Sequence, residues 1–547
     1  MLGLMQDWPL TMDKVIDHAR RLHGRREIVT RTPEGGLERT TYLEVHDRAK
    51  RVSGQLKSWG IDEGDRVATL AWNTARHLEC WYGIMGIGAV CHTLNPRLHP
   101  AQLAWIINHA GDRVIFADTA FAPLLCQVIG HCPTVEHVVF LADDADMPSV
   151  KPEGAQSYEA LLSGQGGDCA WGGFDERAAC GLCYTSGTTG DPKGVLYSHR
   201  SNFLHCMLAM QADTLGISNR DTVLPIVPMF HANAWGVAFA APAAGAKLVL
   251  PGPKLDGSSI YQLLEEEDVT FSAAVPTVWT GLLQHMQTRG LRLTTLERVV
   301  IGGAACPEAL IRGFHHLDVE VVHAWGMTEL SPIGTIGHPP PELARQPFEK
   351  QLPTRLKQGR APLTVEMRLV DGAGEPVAHD GTTPGRLMVR GPAVAGGYFR
   401  SDAEPLDEDG FFDTGDIATI DPDGFMQVTD RAKDVIKSGG EWISSIEIET
   451  LAAAHPAVEM AAVIGIPHPV WDERPLLLVK PKPGRPPTRT EILAFLEGKV
   501  ARWQTPDDVC FLDAIPLGPT GKVDKKALRE QFRDHRAPAS GAPKSRA

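Results

Sequence analysis

The chain lacks a surplus of positive charge: 53 Lys and Arg stand against 67 Asp and Glu, a formal net charge of −14. Broad nucleic-acid binding usually shows a basic footprint, so that function class is set aside. No uninterrupted apolar run is long enough to cross a membrane. The most apolar stretch, residues 232–250, is broken by Gly236, Pro242 and Gly245 and carries Lys247. The start, Met1-Leu-Gly-Leu-Met-Gln-Asp-Trp8, has neither the basic opening nor the apolar centre of a secretory leader. Cysteine is sparse and scattered. Only Cys180-Gly-Leu-Cys183 has redox or zinc spacing; no second pair accompanies it, and it sits in an apolar run that reads as a buried strand. Reduced, buried thiols in a cytoplasmic protein are therefore expected, rather than a disulfide framework or a zinc module. There is no internal repeat, and no Gly-Lys-Ser/Thr of the usual P-loop, which disfavours ordinary kinase and GTPase readings.

What is present is the length and texture of a multidomain enzyme. At 547 residues, 43% hydrophobic and 22% charged, the chain is too long for one core. From about residue 40 to 330, β-rich runs alternate with helical patterns. Arg66-Val-Ala-Thr-Leu-Ala is followed by a helical stretch over 75–88. Arg113-Val-Ile-Phe-Ala, His137-Val-Val-Phe-Leu and Thr222-Val-Leu-Pro-Ile-Val add further strands. This alternation predicts an α/β architecture with largely parallel sheets. Residues 297–329 form its clearest unit. Arg298-Val-Val-Ile ends in Gly302-Gly-Ala-Ala, Pro307 opens a helix to about His316, and Val319-Glu-Val-Val-His323 ends in Ala-Trp-Gly-Met-Thr-Glu329. Both loops then lie at carboxyl ends of neighbouring parallel strands, where open α/β sheets bind ligands. Short strands with Gly- and Pro-rich turns over about 360–428 predict a β-rich subdomain. The expected organisation is a large N-terminal domain (1–429) including that subdomain, a hinge at 430–434, a small mobile α+β domain (435–536) and a disordered tail (537–547).

Residues 184–195, Tyr-Thr-Ser-Gly-Thr-Thr-Gly-Asp-Pro-Lys-Gly-Val, carry the most chemistry. Thr185, Ser186, Thr188 and Thr189 offer hydroxyls. Gly187 and Gly190 let backbone N–H groups approach an anion, and Lys193 adds a cation. Such a loop suits a polyphosphate, although a flexible Thr/Gly surface loop would share its composition. An acidic protein that binds phosphates must gather positive charge locally; Lys193, Arg431, Lys433, Lys437 and Lys522 are the candidates.

That wording resembles the phosphate-binding signature of the AMP-forming superfamily of acyl-CoA synthetases, peptide-synthetase adenylation domains and luciferases. Further segments extend the resemblance over about residues 10–535. Trp325-Gly326-Met327-Thr328-Glu329 is similar to the family's aromatic-Gly-x-Thr-Glu segment, with Trp325 where tyrosine is commoner. The resemblance implies that Thr328 contacts the α-phosphate and that Glu329 holds Mg²⁺, a hard oxygen ligand for a hard cation. Gly302, Gly303 and Ala304 would wall the adenine. Thr414-Gly-Asp416, following Asp409-Gly-Phe-Phe-Asp413, resembles the ribose segment, with Asp416 accepting from vicinal hydroxyls and Arg431 a second contact. Arg386 departs from the common Gly-Glu-Leu wording. Lys522, in Pro-Thr-Gly-Lys-Val-Asp-Lys525, resembles the C-terminal catalytic lysine, which would neutralise charge between carboxylate and phosphate.

By the same resemblance, Lys433 marks the hinge, and a turn there would replace Lys522 by the face containing Lys437, Gly439, Gly440, Glu441 and Trp442, past which coenzyme A's pantetheine would run. Met229-Phe-His231-Ala-Asn-Ala-Trp235 is similar to the segment bordering the acyl site. His231 reads as a gate rather than a metal ligand. Trp235, Gly303, Trp325, Met327, Pro332 and Ile333 would line a crowded apolar pocket suited to a short or medium acyl chain. The implied activity is ATP-dependent acid–CoA ligation. An acid is activated as acyl-AMP with release of pyrophosphate, and CoA then displaces AMP. The His-Ala-Trp-Gly-Met-Thr-Glu wording is most similar to bacterial medium-chain acyl-CoA ligases, including the 3-methylmercaptopropionate–CoA ligases. Alternatives are loading of a carrier protein, for which no carrier domain follows residue 547, a luciferase-like oxygenase, and a non-catalytic nucleotide sensor. The expected partners are the small acid, ATP and CoA. Nucleic acid and integral membrane association are not expected, and a homodimer stays open.

Overall fold

The structure, a computed structural model, describes residues 1, 3–33, 35–185, 192–438, 441–484, 486–518 and 522–536; of Glu441 and Trp442 only the backbone is described. The chain divides into two compact units. One comprises Met1–Glu366 with Arg390–Phe412; the other comprises Met367–Val389 with the chain from Asp413 onwards.

The first unit is built on two sheets. In the eight-stranded sheet the strands run in the order Ile333–Gly337, Glu320–Gly326, Arg298–Ile301, Phe271–Ala274, Thr222–Pro225, Lys247–Leu250, Glu27–Arg31, Leu37–Thr41. Both edge strands are antiparallel to their neighbours, and every inner pairing is parallel. The seven-stranded sheet runs Gln156–Ser157, His137–Phe140, Val114–Ala117, Arg66–Leu70, Val90–Thr93, Ala179–Tyr184, Gly194–Ser198, with only the last pairing antiparallel. Parallel strands covered on both faces need apolar residues at every position. The Val114–Ala117 strand shows why. Val114 and Phe116 enter a core shared with helices Asp13–His23, Tyr42–Ser58, Ala75–Gly86 and Val237–Ala244. Ile115 and Ala117 enter another, with Pro100–Ala110 and Ala122–Val128. In Arg298–Ile301, Val300 faces the shared core. Val299 and Ile301 face a third core, with helices Gly257–Glu266, Pro276–Arg289 and Glu308–His315. The expected α/β class with parallel sheets is what forms: a stack of helices, sheet, helices, sheet, helices. Local signals set its helix starts, with Thr41, Thr74 and Asp256 side chains accepting from N–H groups three residues on.

Two local expectations are corrected. Pro307 stands just before its helix, Glu308–His315, instead of opening it. The strand expected over 319–323 runs from Glu320 through Gly326. Pairing with Ile333–Gly337, with Trp325 opposite Thr335, keeps Ala324, Trp325 and Gly326 extended. The loop begins at Met327. The apolar stretch over 232–250 is buried interior, and among the described residues no helix is long and apolar enough to cross a membrane.

The β-rich stretch, expected within the larger domain, is a four-stranded sheet, Glu366–Val370, Gly385–Arg390, Phe412–Ile420, Met426–Arg431, whose residues fall mostly in the second unit. The second unit also contains a five-stranded sheet centred on the hairpin of Val458–His468 with Asp472–Pro481. Along Asp472–Pro481, Leu477 and Val479 pack with helices Ser445–Ala453 and Arg489–Leu496, whereas Leu476 and Leu478 pack with helix Lys525–Gln531. Period-two alternation thus serves two cores from one strand. Leu477→Ala and Leu478→Ala, both fully buried, should each cost about 2–5 kcal/mol; chemical denaturation of either variant within about 0.5 kcal/mol of the parent would contradict the assignment.

Candidate functional site

In the first unit, Ser186, Gly187, Thr188, Thr189 and Gly190 lie outside the described residues, but the rims of their loop are defined. Strands Ala179–Tyr184 and Gly194–Ser198 are antiparallel, and Thr185 N–H donates to Lys193 O at 2.9 Å. The Thr/Gly run therefore links the two strands of a hairpin. Exposed Lys193 places its ammonium 4.7 Å from the centre of the Tyr398 ring. The Tyr398 hydroxyl donates to Glu329 Oε1 at 2.9 Å, and Glu329 is 6% exposed.

The turn Thr328–Leu330 that carries this carboxylate is braced on several sides. Thr328 O accepts from the Tyr197 hydroxyl at 2.8 Å, and Glu329 O from Ala395 N–H at 2.7 Å. Ser331 Oγ donates to Ala393 O at 2.8 Å, while Phe399 N–H reaches Gly194 O at 2.8 Å. Residues 393–399 thus tie the acidic turn to the strand that follows the phosphate-type loop. Sequence reasoning missed Tyr197 and Tyr398. The available signal was Gly396-Gly-Tyr-Phe399, an aromatic pair presented by two glycines.

The wall expected at His231 and Trp235 takes an unusual backbone. Ala232, Asn233, Ala234 and Trp235 have φ of 45°, 56°, 50° and 56°, followed by Gly236 at 76°. Each left-handed non-glycine residue costs about 1–2 kcal/mol, so burial must hold the turn. All four are at least nine-tenths buried, and His231 is half-buried. The turn sets the Trp235 indole against glycine. A Cβ on Gly302 would come 3.3 Å from Trp235 Cη2, and one on Gly303 3.8 Å from Cζ2. Trp325 packs likewise on Gly334, where a Cβ would meet Trp325 Cζ3 at 2.2 Å. Met327 N–H donates to Pro332 O at 3.1 Å, a closure so tight that a Cβ on Gly326 would fall 1.9 Å from the same oxygen. His205, which no motif signalled, links the two walls. Its Nε2 accepts from Ile333 N–H at 3.2 Å, and its ring fills the space beside Gly236. Burial pushes its imidazole down to about 3, so it stays neutral. Trp235 and Ile333 share one core cluster; Pro332 is buried, Met327 half-buried and Ala304 exposed.

In the second unit, strand register sets Asp416 opposite Arg431. Arg431 Nε lies 2.7 Å from Asp416 Oδ1, with the carboxylate 2% exposed. Thr414 Oγ1 accepts from Asp416 N–H at 3.1 Å and donates to Leu387 O at 2.8 Å, holding the turn that presents Asp416. Gly415, at φ 68°, supplies the left-handed residue. Arg386 pairs with Asp413 beside this turn. Lys522 belongs to the same electrostatic group. Lys522 is exposed, and its ammonium is pushed down to about 8, by desolvation first and then by the positive Arg431 and Lys433, against the pull of Asp416. The Lys433 ammonium is lowered too, chiefly by desolvation. Lys437 is exposed, opposite Trp442 in the hairpin of Ile436–Ser438 with Glu441–Ile443. Gly439, Gly440 and the side chains of Glu441 and Trp442 lie outside the described residues, as does the expected tail.

Among the described residues, one group has transition-metal donor chemistry: Asp508, Cys510 and His535. Asp508 is already engaged, by Arg489 Nε at 2.7 Å and His535 Nε2 at 3.0 Å, which makes the group an ion-paired cluster.

Residues 16–399 match the family described as AMP-binding enzyme, and residues 447–522 match its C-terminal domain. A 3-methylmercaptopropionyl-CoA ligase of Ruegeria lacuscaerulensis is 49% identical over 98% of this chain and 99% of its own length. A medium-chain-fatty-acid–CoA ligase of Ectopseudomonas oleovorans is 47% identical over 98% of both chains. Among solved structures, an anthranilate CoA ligase with anthranoyl-AMP bound has a TM-score of 0.85 at 25% identity, over 97% of this chain and 99% of that one.

The backbone closure at residues 326–332 generates one prediction. Gly326→Ala should cost about 3 kcal/mol by forcing Pro332 away; a denaturation midpoint equal to that of the parent protein would show that the turn has room to relax.

Proposed function

Since this chain belongs to the AMP-binding enzyme family and is an ATP-dependent, AMP-forming acid–CoA ligase, we propose which residues carry its two half-reactions and which acid it takes. In the first half-reaction, a carboxylate oxygen of the acid attacks the α-phosphorus of ATP. The bond to pyrophosphate breaks, and acyl-AMP forms. Asp416 accepts from the ribose hydroxyls with Arg431 beside it. Thr185, Ser186, Thr188, Thr189 and Lys193 hold the β- and γ-phosphates, and Gly302, Gly303 and Ala304 border the base. Thr328 donates to the α-phosphate. A buried carboxylate beside a threonine hydroxyl is a hard-oxygen donor set that fits Mg²⁺, with Glu329 as the ligand. When bound, the cation spreads the charge of the transferring phosphoryl group. Lys522 brings a second cation to the developing charge between acid and phosphate.

In the second half-reaction, the thiol of CoA attacks the acyl carbon and AMP leaves. The hairpin over residues 436–443 serves this step, with Lys437 and Trp442 beside the thioester and Gly439 and Gly440 leaving room for pantetheine. Lys433 is the hinge that exchanges Lys522 for this hairpin. The observation that carries the assignment in the larger unit is the linked series Lys193, Tyr398 and Glu329, which couples a phosphate cation to a braced, buried carboxylate.

The acid is a short or medium carboxylate, with 3-methylmercaptopropionate the leading substrate. Support comes from the two indoles, Trp235 and Trp325, with Met327, and from the 49% identity to ligases named for that acid. The setting is the reducing cytoplasm, supported by ten free cysteines. Incubation of the enzyme with ATP, Mg²⁺, CoA and a panel of acids should yield AMP and pyrophosphate. Turnover should be highest on 3-methylmercaptopropionate and neighbouring medium chains; a preference for long-chain acids would overturn the substrate assignment.

Three outcomes follow for variants. Lys522→Ala should lower adenylate formation by at least about a hundredfold, as loss of one charge-stabilising group does, while transfer from pre-made acyl-AMP to CoA persists. Because the Lys522 ammonium loses its proton near pH 8, adenylate formation should be fastest below that pH and fall as pH rises through it. Lys522→Arg should flatten the fall, and an unchanged profile in this variant would assign the titration elsewhere. Trp235→Ala should shift preference towards bulkier acids by about tenfold in relative kcat/KM, and the same acid profile as the parent would remove Trp235 from the pocket.

A further inference from the structure

Arg474 lies in the Asp472–Pro481 strand, outside every group assigned above. Its side chain is 7% exposed, and all five of its N–H donors are used. Nη1 donates to Ser438 Oγ at 3.1 Å and to Trp503 O at 2.6 Å. Nη2 donates to Thr505 O at 3.0 Å and to Asp507 Oδ1 at 2.8 Å. Nε reaches the same Asp507 oxygen at 3.0 Å. A charge buried to this depth has to be paired and hydrogen-bonded. Asp507 supplies the pairing and three backbone or hydroxyl oxygens supply the rest.

The arrangement has two ends. Residues 503–507 form the anchor, reinforced by Asp507 N–H donating to Pro475 O at 3.0 Å. Ser438 is the other end, the last residue of strand Ile436–Ser438 and the residue before Gly439. The hairpin that carries Lys437 and Trp442 meets the Asp472–Pro481 strand through the register pair Ser438 with Asp472. Ile436 and Ile443 anchor the hairpin in the core beneath it, while the ladder itself is short. Neighbouring side chains extend it: Glu473 Oε2 accepts from Lys437 N–H at 3.0 Å, and Arg474 takes Ser438 Oγ. The planar guanidinium fork holds its five bonds in one geometry, which a lysine cannot reproduce.

We propose that Arg474 is a positioning residue for the thioester half-reaction, acting through Ser438 to hold the 436–443 hairpin in the orientation that receives CoA. The inference rests on the reading that this hairpin serves CoA transfer. It makes no contact with substrate itself, and it has no part in adenylate formation.

The test separates the half-reactions in the full-length enzyme. Pyrophosphate release with acid and ATP measures the first; thioester formation from synthetic acyl-AMP and CoA measures the second. Ser438→Ala removes one hydroxyl and no charge, Arg474→Lys keeps the charge and loses the fork, and Ser438→Thr retains a hydroxyl. Ser438→Ala and Arg474→Lys should raise KM for CoA by about tenfold and leave pyrophosphate release within about twofold, with Ser438→Thr close to the parent. A purely structural arginine would lower both half-reactions together with the unfolding midpoint, and that result overturns the proposal. So does an unchanged KM for CoA in both Ser438→Ala and Arg474→Lys. The double variant Lys437→Ala with Trp442→Ala separates the underlying reading. If it transfers normally, the hairpin has no role in the CoA step and the reading itself fails. If it loses transfer while the Ser438 and Arg474 variants keep it, only the role of Arg474 fails.

Discussion

The larger unit depends on how closely backbone and indole approach each other at the carboxyl edge of one sheet. Glycines at 302, 326 and 334 leave no Cβ where Trp235, the Pro332 carbonyl and Trp325 need the space. Because of this, two bulky aromatics and a reversed chain fit beside neighbouring parallel strands. A methyl at Gly326 or Gly334 would push apart the strand Glu320–Gly326 and its antiparallel partner, and with them the turn that carries Glu329. The left-handed turn at Ala232–Gly236 belongs to the same constraint, since its strained backbone is what aims Trp235 at Gly302.

On an acidic chain, positive charge acts where it is concentrated. Lys193 lies over an aromatic face, Arg431 against a buried carboxylate, and Lys522 among like charges that weaken its hold on its proton. Arg474 is the opposite case, a cation so completely satisfied that its charge serves geometry instead of chemistry. At Lys522, desolvation and the like charges of Arg431 and Lys433 push the ammonium down to about 8.

Much of this was legible in residue order. The alternation of β-rich and helical runs announced largely parallel sheets, and the turn after Arg298–Ile301 read as a ligand-binding edge. Asp416 and Arg431 were legible only as neighbouring motif residues; the strand register is what sets them opposite each other. Less was legible where partners are distant in sequence. Tyr398 reaches Glu329 across 69 positions, His205 reaches Ile333 across 128, and no local pattern relates such pairs. The extension of the strand through Trp325 and Gly326 was also hidden, because antiparallel pairing with residues 333–337 overrode the turn suggested by the glycine.

By itself the order of residues determined the α/β class, and it offered the phosphate-type loop and the acidic, ribose-type and lysine segments as resemblances. These depend on local periodicity and on short runs whose chemistry is complete within a few residues. Only the tertiary structure decided which groups brace them. Tyr398 for Glu329, His205 for Ile333 and Arg474 for the hairpin are hydrogen bonds formed when distant elements pack. Their geometry comes from burial and strand register, which no short stretch of sequence contains.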